Sequence, residues 1–183
     1  MKNNFKLSRY HLNVILLYLI LTPFLLYFFA DKIRYDFSKN IGPAFAISIF
    51  SLILFFGFLS IKKWDDSSFK VSKIIFAILY GVVFAFPEEI IFRGIIQSFI
   101  QDYFVNTFFI VLLSSITFGL AHLLNTAKGF YPNDWNWKLA GLTLLAGIPL
   151  SLIFAITNSL LFPSILHALF VIFLQMSIKN EKP

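Results

Sequence analysis

Two adjacent carboxylates and an arginine stand in Pro87-Glu88-Glu89-Ile90-Ile91-Phe92-Arg93-Gly94, inside one of the most apolar parts of the chain. From Val71 to Phe86 the strongly polar residues are Ser72 and Lys73, and from Gly94 to Ile100 they are Gln97 and Ser98. An ionised side chain at mid-bilayer costs roughly 2.5 to 3.5 kcal/mol on insertion scales, so charges kept there usually face a protein interior and carry a function. The competing reading is a structural ion pair that locks helices together. Spacing separates the roles. Glu89 and Arg93 are four residues apart, acid first, the favourable order for an intrahelical pair. Glu88 lies about 100° around the helix from Glu89 and is less easily satisfied by that arginine. A partly desolvated carboxylate suits general-base work. Glu88 is therefore expected to do chemistry, and Glu89 with Arg93 to support it.

Neutral imidazole is cheap enough to bury and can act as base, hydrogen-bond donor or metal ligand. His122 follows Phe118-Gly119-Leu120-Ala121 within an apolar span, with Phe118 four residues back on the same face. His167 follows Phe162-Pro163-Ser164-Ile165-Leu166, with Pro163 suited to a first helical turn. His11, at the start of the first apolar run, reads as an interfacial residue. A single intramembrane histidine is more often a helix–helix hydrogen-bonder than a catalyst. Two of them beside an intramembrane diacid make that reading less comfortable.

What must position these residues is a membrane bundle. Of 183 residues 58% are hydrophobic and 13% charged, with mean hydropathy +0.81, more apolar surface than a soluble domain of this size buries. The expected fold is all-α: one domain over residues 1–183, a polytopic transmembrane bundle of about six spans around an intramembrane cavity. The spans run near His11–Ala30, Pro43–Ile61, Val71–Gln101, Phe104–Leu124, Lys138–Thr157 and Ser164–Ser177. The first lacks a small-residue cleavage site and reads as a retained span. The net charge of +6 reflects the positive-inside bias and not a nucleic-acid partner. If Val71–Gln101 crosses once, eleven basic residues fall on the side of the N-terminus and only Lys32, Arg34 and Lys39 opposite, with Arg93 inside the membrane. If Pro87 turned the chain back, giving seven spans, the split would be even. One long crossing with a kink at Pro87 is expected, with both termini cytoplasmic in a cell (inner) membrane. There is no cysteine, which excludes a thiol nucleophile and thiolate metal sites.

Depth is the difficulty. His122 lies near the cytoplasmic end of its span and His167 near the opposite face. They meet if the fourth span continues past Asn125 toward Lys128, and if the short last helix starts below the membrane surface with Ser159–Pro163 dipping in.

Glu88-Glu89-x-x-x-Arg93, Phe118-x-x-x-His122 and His167 in a Leu-Phe-Pro-Ser-Ile-Leu-His context resemble the CAAX prenyl protease and bacteriocin-processing (CPBP, or Abi) family of glutamic intramembrane proteases. The resemblance covers about residues 81–171. It implies an endopeptidase acting on a membrane-associated peptide or protein, with Glu88 and His122 activating water and His167 stabilising the oxyanion. It implies either no cofactor or a divalent metal such as zinc, with Glu88, His122 and His167 as the ligands. The family's last motif usually reads His-x-x-x-Asn; here the fourth residue after His167 is Val171, so an amide donor is missing. Gln175, one turn further, and Asn158, from the preceding helix, are the candidate substitutes. Two rivals remain: an immunity or scaffold protein that keeps the fold without turnover, and a proton-coupled transporter, disfavoured by the absence of repeats. No His-Glu-x-x-His or Gly-x-Ser-x-Gly motif is present.

Overall fold

The computed structural model describes residues 9–33, 35, 40–60, 70–123, 125 and 131–177. The basic residues Lys2, Lys6, Arg34, Lys39, Lys62, Lys63, Lys128, Lys179 and Lys182, which set the expected orientation, lie outside these, as does the side chain of His11. Among the described residues the fold is all-helical, with six main helices: α1 (Arg9–Phe28), α2 (Ile41–Ser60), α3 (Val71–Tyr103), α4 (Thr107–Ala121), α5 (Trp137–Thr157) and α6 (Leu161–Ser177). By length and composition α2, α3 and α5 can each cross a membrane; Ile15–Phe28, α4 and α6 are shorter apolar helices. Large apolar side chains point outward over much of the surface, Ile20 at 75% and Leu19 at 61% exposure among them. Hydrocarbon, unlike water, accepts that surface.

Val71–Gln101, expected to cross once, lies within one 33-residue helix, about 50 Å long. Its irregularity lies beyond Pro87. Ile90–Gln97 is a π-helical stretch, the rare i→i+5 form that marks functional sites more often than chance. It buries Ile90, Arg93, Gly94 and Gln97 together.

Small residues let neighbouring helices approach closely, as membrane packing requires. A Cβ on Gly119 would stand 2.8 Å from the Ala140 carbonyl oxygen, so α4 and α5 touch backbone to backbone there. On the other flank, a Cβ on Gly81 would meet the Ala168 carbonyl oxygen at 2.9 Å, which brings α6 against α3. Between α3, α4 and α5 runs a buried polar seam. Gln97 Nε2 donates to the Ser151 carbonyl at 2.8 Å, Ser114 Oγ donates to Gln97 Oε1 at 3.0 Å, and Ser151 Oγ donates to Ser114 Oγ at 3.1 Å. Each polar group finds a partner, which burial without water demands.

Both depth adjustments can be compared with this arrangement. α4 does not continue past Asn125; it stops at Ala121. The His122 amide bonds the Gly119 carbonyl at 3.0 Å, tightening the last turn, and the Phe118 carbonyl takes the His122 ring nitrogen Nδ1 at 2.7 Å instead. The side chain replaces the next helical hydrogen bond. On the other side, the last helix starts at Leu161, three residues earlier than expected. Asn158 takes a left-handed conformation (φ 51°) that ends α5, and Ser159 Oγ accepts the Leu161 amide at 3.3 Å. Leu160 lies beside Gly94, nine residues before the end of α3. The last helix therefore begins about 14 Å inside that end.

Candidate active site

Three helices bring Glu88, His122 and His167 to one point. Glu88 sits midway along α3, His122 at the end of α4 and His167 in the second turn of α6. Glu88 Oε2 is 3.7 Å from His122 Nε2 and 3.7 Å from His167 Nε2. A heavy-atom gap of about 4 to 6 Å is expected for one bridging water; 3.7 Å is shorter, so a shared water would sit beside the pair and not in line between them.

The hydrogen bonds on the far side of each ring fix the tautomers. A carbonyl oxygen can only accept, so His122 Nδ1 must carry the proton that bonds Phe118. His167 Nδ1 lies 2.8 Å from Glu89 Oε1 and donates to that carboxylate. In both neutral rings Nε2 then presents its lone pair to Glu88. Glu89 therefore has two jobs. It pairs with Arg93 Nη1 at 3.1 Å, as the spacing indicated, and it orients His167, which the spacing did not indicate. Both bonds fall on Oε1; Glu89 Oε2 and Arg93 Nε are buried without a partner among the described residues.

Phe118 is the plate under the cluster. The Arg93 guanidinium lies 4.4 Å from its ring centre, the His122 and His167 rings meet it edge-on at 4.6 and 5.5 Å, and Phe92 closes the fourth side at 5.0 Å. Arg93 also reaches the Gly147 carbonyl at 3.3 Å, tying the plate to α5.

The two proposed substitutes for the missing amide are not brought to this point. Asn158 lines a separate polar pocket with Asp31, Lys32, Ser98, Gln101 and Asp102, toward the other end of α3. Its left-handed backbone closes the α5–α6 turn. Gln175 lies eight residues past His167, about 12 Å along α6, and makes no hydrogen bond among the described residues. Val171 is half-buried one turn after His167.

One participant was missed. Tyr18 Oη, from α1, donates to Glu88 Oε1 at 3.1 Å. A tyrosine within an apolar run carries no sequence signal of a polar task.

Among the described residues no three His, Cys, Asp or Glu side chains are arranged to hold a metal ion. Zinc ligands at about 2.0 to 2.1 Å stand roughly 3.3 Å apart around a tetrahedral ion, closer than Glu88 is to either imidazole. The donors as placed do not fit the ion.

A family model for Rce1-like proteins, described as type II CAAX prenyl endopeptidase Rce1-like, matches residues 70–173, more than half of the chain. The chain belongs to the Rce1-like family. That agrees with the resemblance its motifs carry. No curated protein and no solved structure matches the chain. The Rce1-like region starts one residue before α3 and ends within α6, so it includes Glu88, His122 and His167 and leaves out α1 and α2.

Proposed function

We propose that this chain is an intramembrane endopeptidase in which Glu88 and His122 activate a water against a peptide bond of a membrane-associated substrate. The observation that carries the reading is the convergence of Glu88 Oε2 with two imidazole lone pairs. A water bonded to both from the side gives one proton to Glu88 Oε2 while its oxygen attacks the carbonyl carbon. The carbonyl oxygen becomes the oxyanion. The carbonyl re-forms as the C–N bond breaks, and the proton passes through His122 to the leaving nitrogen, giving a carboxylic acid and an amine. His167 can donate to the oxyanion only as imidazolium, because its neutral tautomer has no Nε2 hydrogen. The Glu89 carboxylate behind it supports that cation, as a buried aspartate does in a serine-protease triad. In the membrane the chain is read as multi-pass with both termini cytoplasmic.

A turnover-free immunity or scaffold role for the same fold is favoured by one observation, Val171, which puts no amide beside His167. One experiment separates the two. The purified protein in proteoliposomes is given internally quenched membrane peptides, one bearing a prenylated cysteine near its C-terminus, and Glu88→Gln is run beside it. Cleavage that falls about 10²- to 10⁴-fold in the variant supports the endopeptidase. Cleavage undiminished in Glu88→Gln overturns the assignment of the base, and no cleavage of any peptide by the wild type favours the turnover-free role.

A further inference from the structure

α1 stands outside the Rce1-like region, yet it reaches the site in a fixed register. Three contacts between α1, with the turn after it, and α3 share one offset of seventy residues: Tyr18 with Glu88, Phe29 with Phe99 at 6.5 Å, and Lys32 with Asp102 at 2.9 Å. The two helices run parallel, and the ends of this ladder set the depth of its middle. Leu16, Leu17, Leu19 and Ile20 are exposed, whereas Tyr18, Thr22 and Leu25 form the narrow inward stripe at i, i+4 and i+7. The Tyr18 ring meets Phe84 edge-on at 5.8 Å, and Phe84 in turn stacks on Tyr80 at 4.1 Å. The hydroxyl is held at Glu88 by the register and by this aromatic packing.

We propose that Tyr18 is a positioning residue of the Glu88 site: its hydroxyl occupies Oε1 and fixes the carboxylate plane so that Oε2 faces both imidazoles. This rests on the endopeptidase reading of Glu88. A carboxylate with one oxygen free could rotate and present either oxygen, and a reacting group misplaced by 1 Å loses about 10²-fold in rate. Tyr18 leaves the lone pairs of His122 and His167 untouched, because its bond falls on the other oxygen.

Two measurements test this, one independent of activity. A fluorotyrosine installed at position 18 reports its surroundings by its ¹⁹F resonance in micelles. The resonance is expected to move in Glu88→Gln and to stay in Asp134→Asn, a carboxylate in the turn before α5 that takes no part in the ladder. No movement in Glu88→Gln overturns the contact. Turnover of the peptide cleaved in proteoliposomes is then compared for Tyr18→Phe, which keeps the ring against Phe84. A kcat about 10- to 100-fold lower at an unchanged KM supports positioning, and an unchanged kcat in the folded variant overturns it. Wild-type protein that cleaves nothing speaks against the endopeptidase reading alone, because the resonance still decides the contact.

Discussion

Glu89 is the residue whose removal separates structure from chemistry. It is fully buried, as is Arg93, and they meet at 3.1 Å. In Glu89→Gln the guanidinium keeps its charge with the Gly147 carbonyl at 3.3 Å, the Phe118 face at 4.4 Å and the more distant Glu88 charge for company. Breaking a buried pair by removing one partner costs about 3 to 5 kcal/mol. Removing both charges is milder, since an apolar replacement of a buried pair is often neutral. Glu89→Gln/Arg93→Met should therefore recover most of the lost stability, less the bond to Gly147. It should not recover activity. His167 Nδ1 has lost the carboxylate at 2.8 Å that sets its tautomer, a loss that costs up to about 10⁴ in rate in a serine-protease triad. At least roughly 10²-fold lower turnover is expected from both variants. Denaturant unfolding in micelles, followed through the three tryptophans, reads stability, and peptide cleavage reads the rest. A single variant within about 1 kcal/mol of wild type refutes the buried-charge argument. An active double variant refutes the second role of Glu89.

The remaining expectations concern the missing donor and the orientation. Val171→Asn should raise turnover by about one to two orders of magnitude if the amide points where His167 does, because an oxyanion donor is worth roughly 2.7 to 4 kcal/mol; Gln175→Ala should leave it unchanged, given the distance along α6. A fall in Gln175→Ala with no gain in Val171→Asn would show that the donor comes from Gln175 after all. Reporter fusions at Asn4 and Lys182 should both read cytoplasmic, and opposite readings would defeat the single crossing of α3.

The charged residues were legible because the bilayer prices them. Glu88, Glu89 and Arg93 stand out against an apolar background, and four-residue spacing is enough to foresee the Glu89–Arg93 pair. Convergence of Glu88 with the two histidines followed from three motifs together, not from any one of them. The π stretch was not legible, since Ile-Ile-Phe-Arg-Gly-Ile-Ile-Gln reads equally well as α-helix and takes its form from the neighbours it packs on. The stop after Ala121 was misread because it depends on the His122 ring taking a backbone bond, a choice that periodicity does not record. Tyr18 and the Glu89–His167 bond link residues 70 and 78 positions apart, and one sequence offers no measure of such pairings.

The short last helix has a consequence for traffic. Because α6 starts well inside the end of α3, a hollow would open above its first turn, and Ile33 and Leu25 fill it against Ile90, Phe154 and Leu160. Tyr35 adds a ring stacked on Phe86 at 6.3 Å. These side chains cap the first turn of α6 with apolar surface. On the endopeptidase reading that cap separates Glu88 from the side on which α3 ends, so water and peptide would reach it past His122, whose neighbour Ala121 is exposed. The cysteine-free chain makes this measurable. A water-soluble maleimide should modify Ala121→Cys readily and spare Leu160→Cys, and equal labelling of the two would mean that the cap is open.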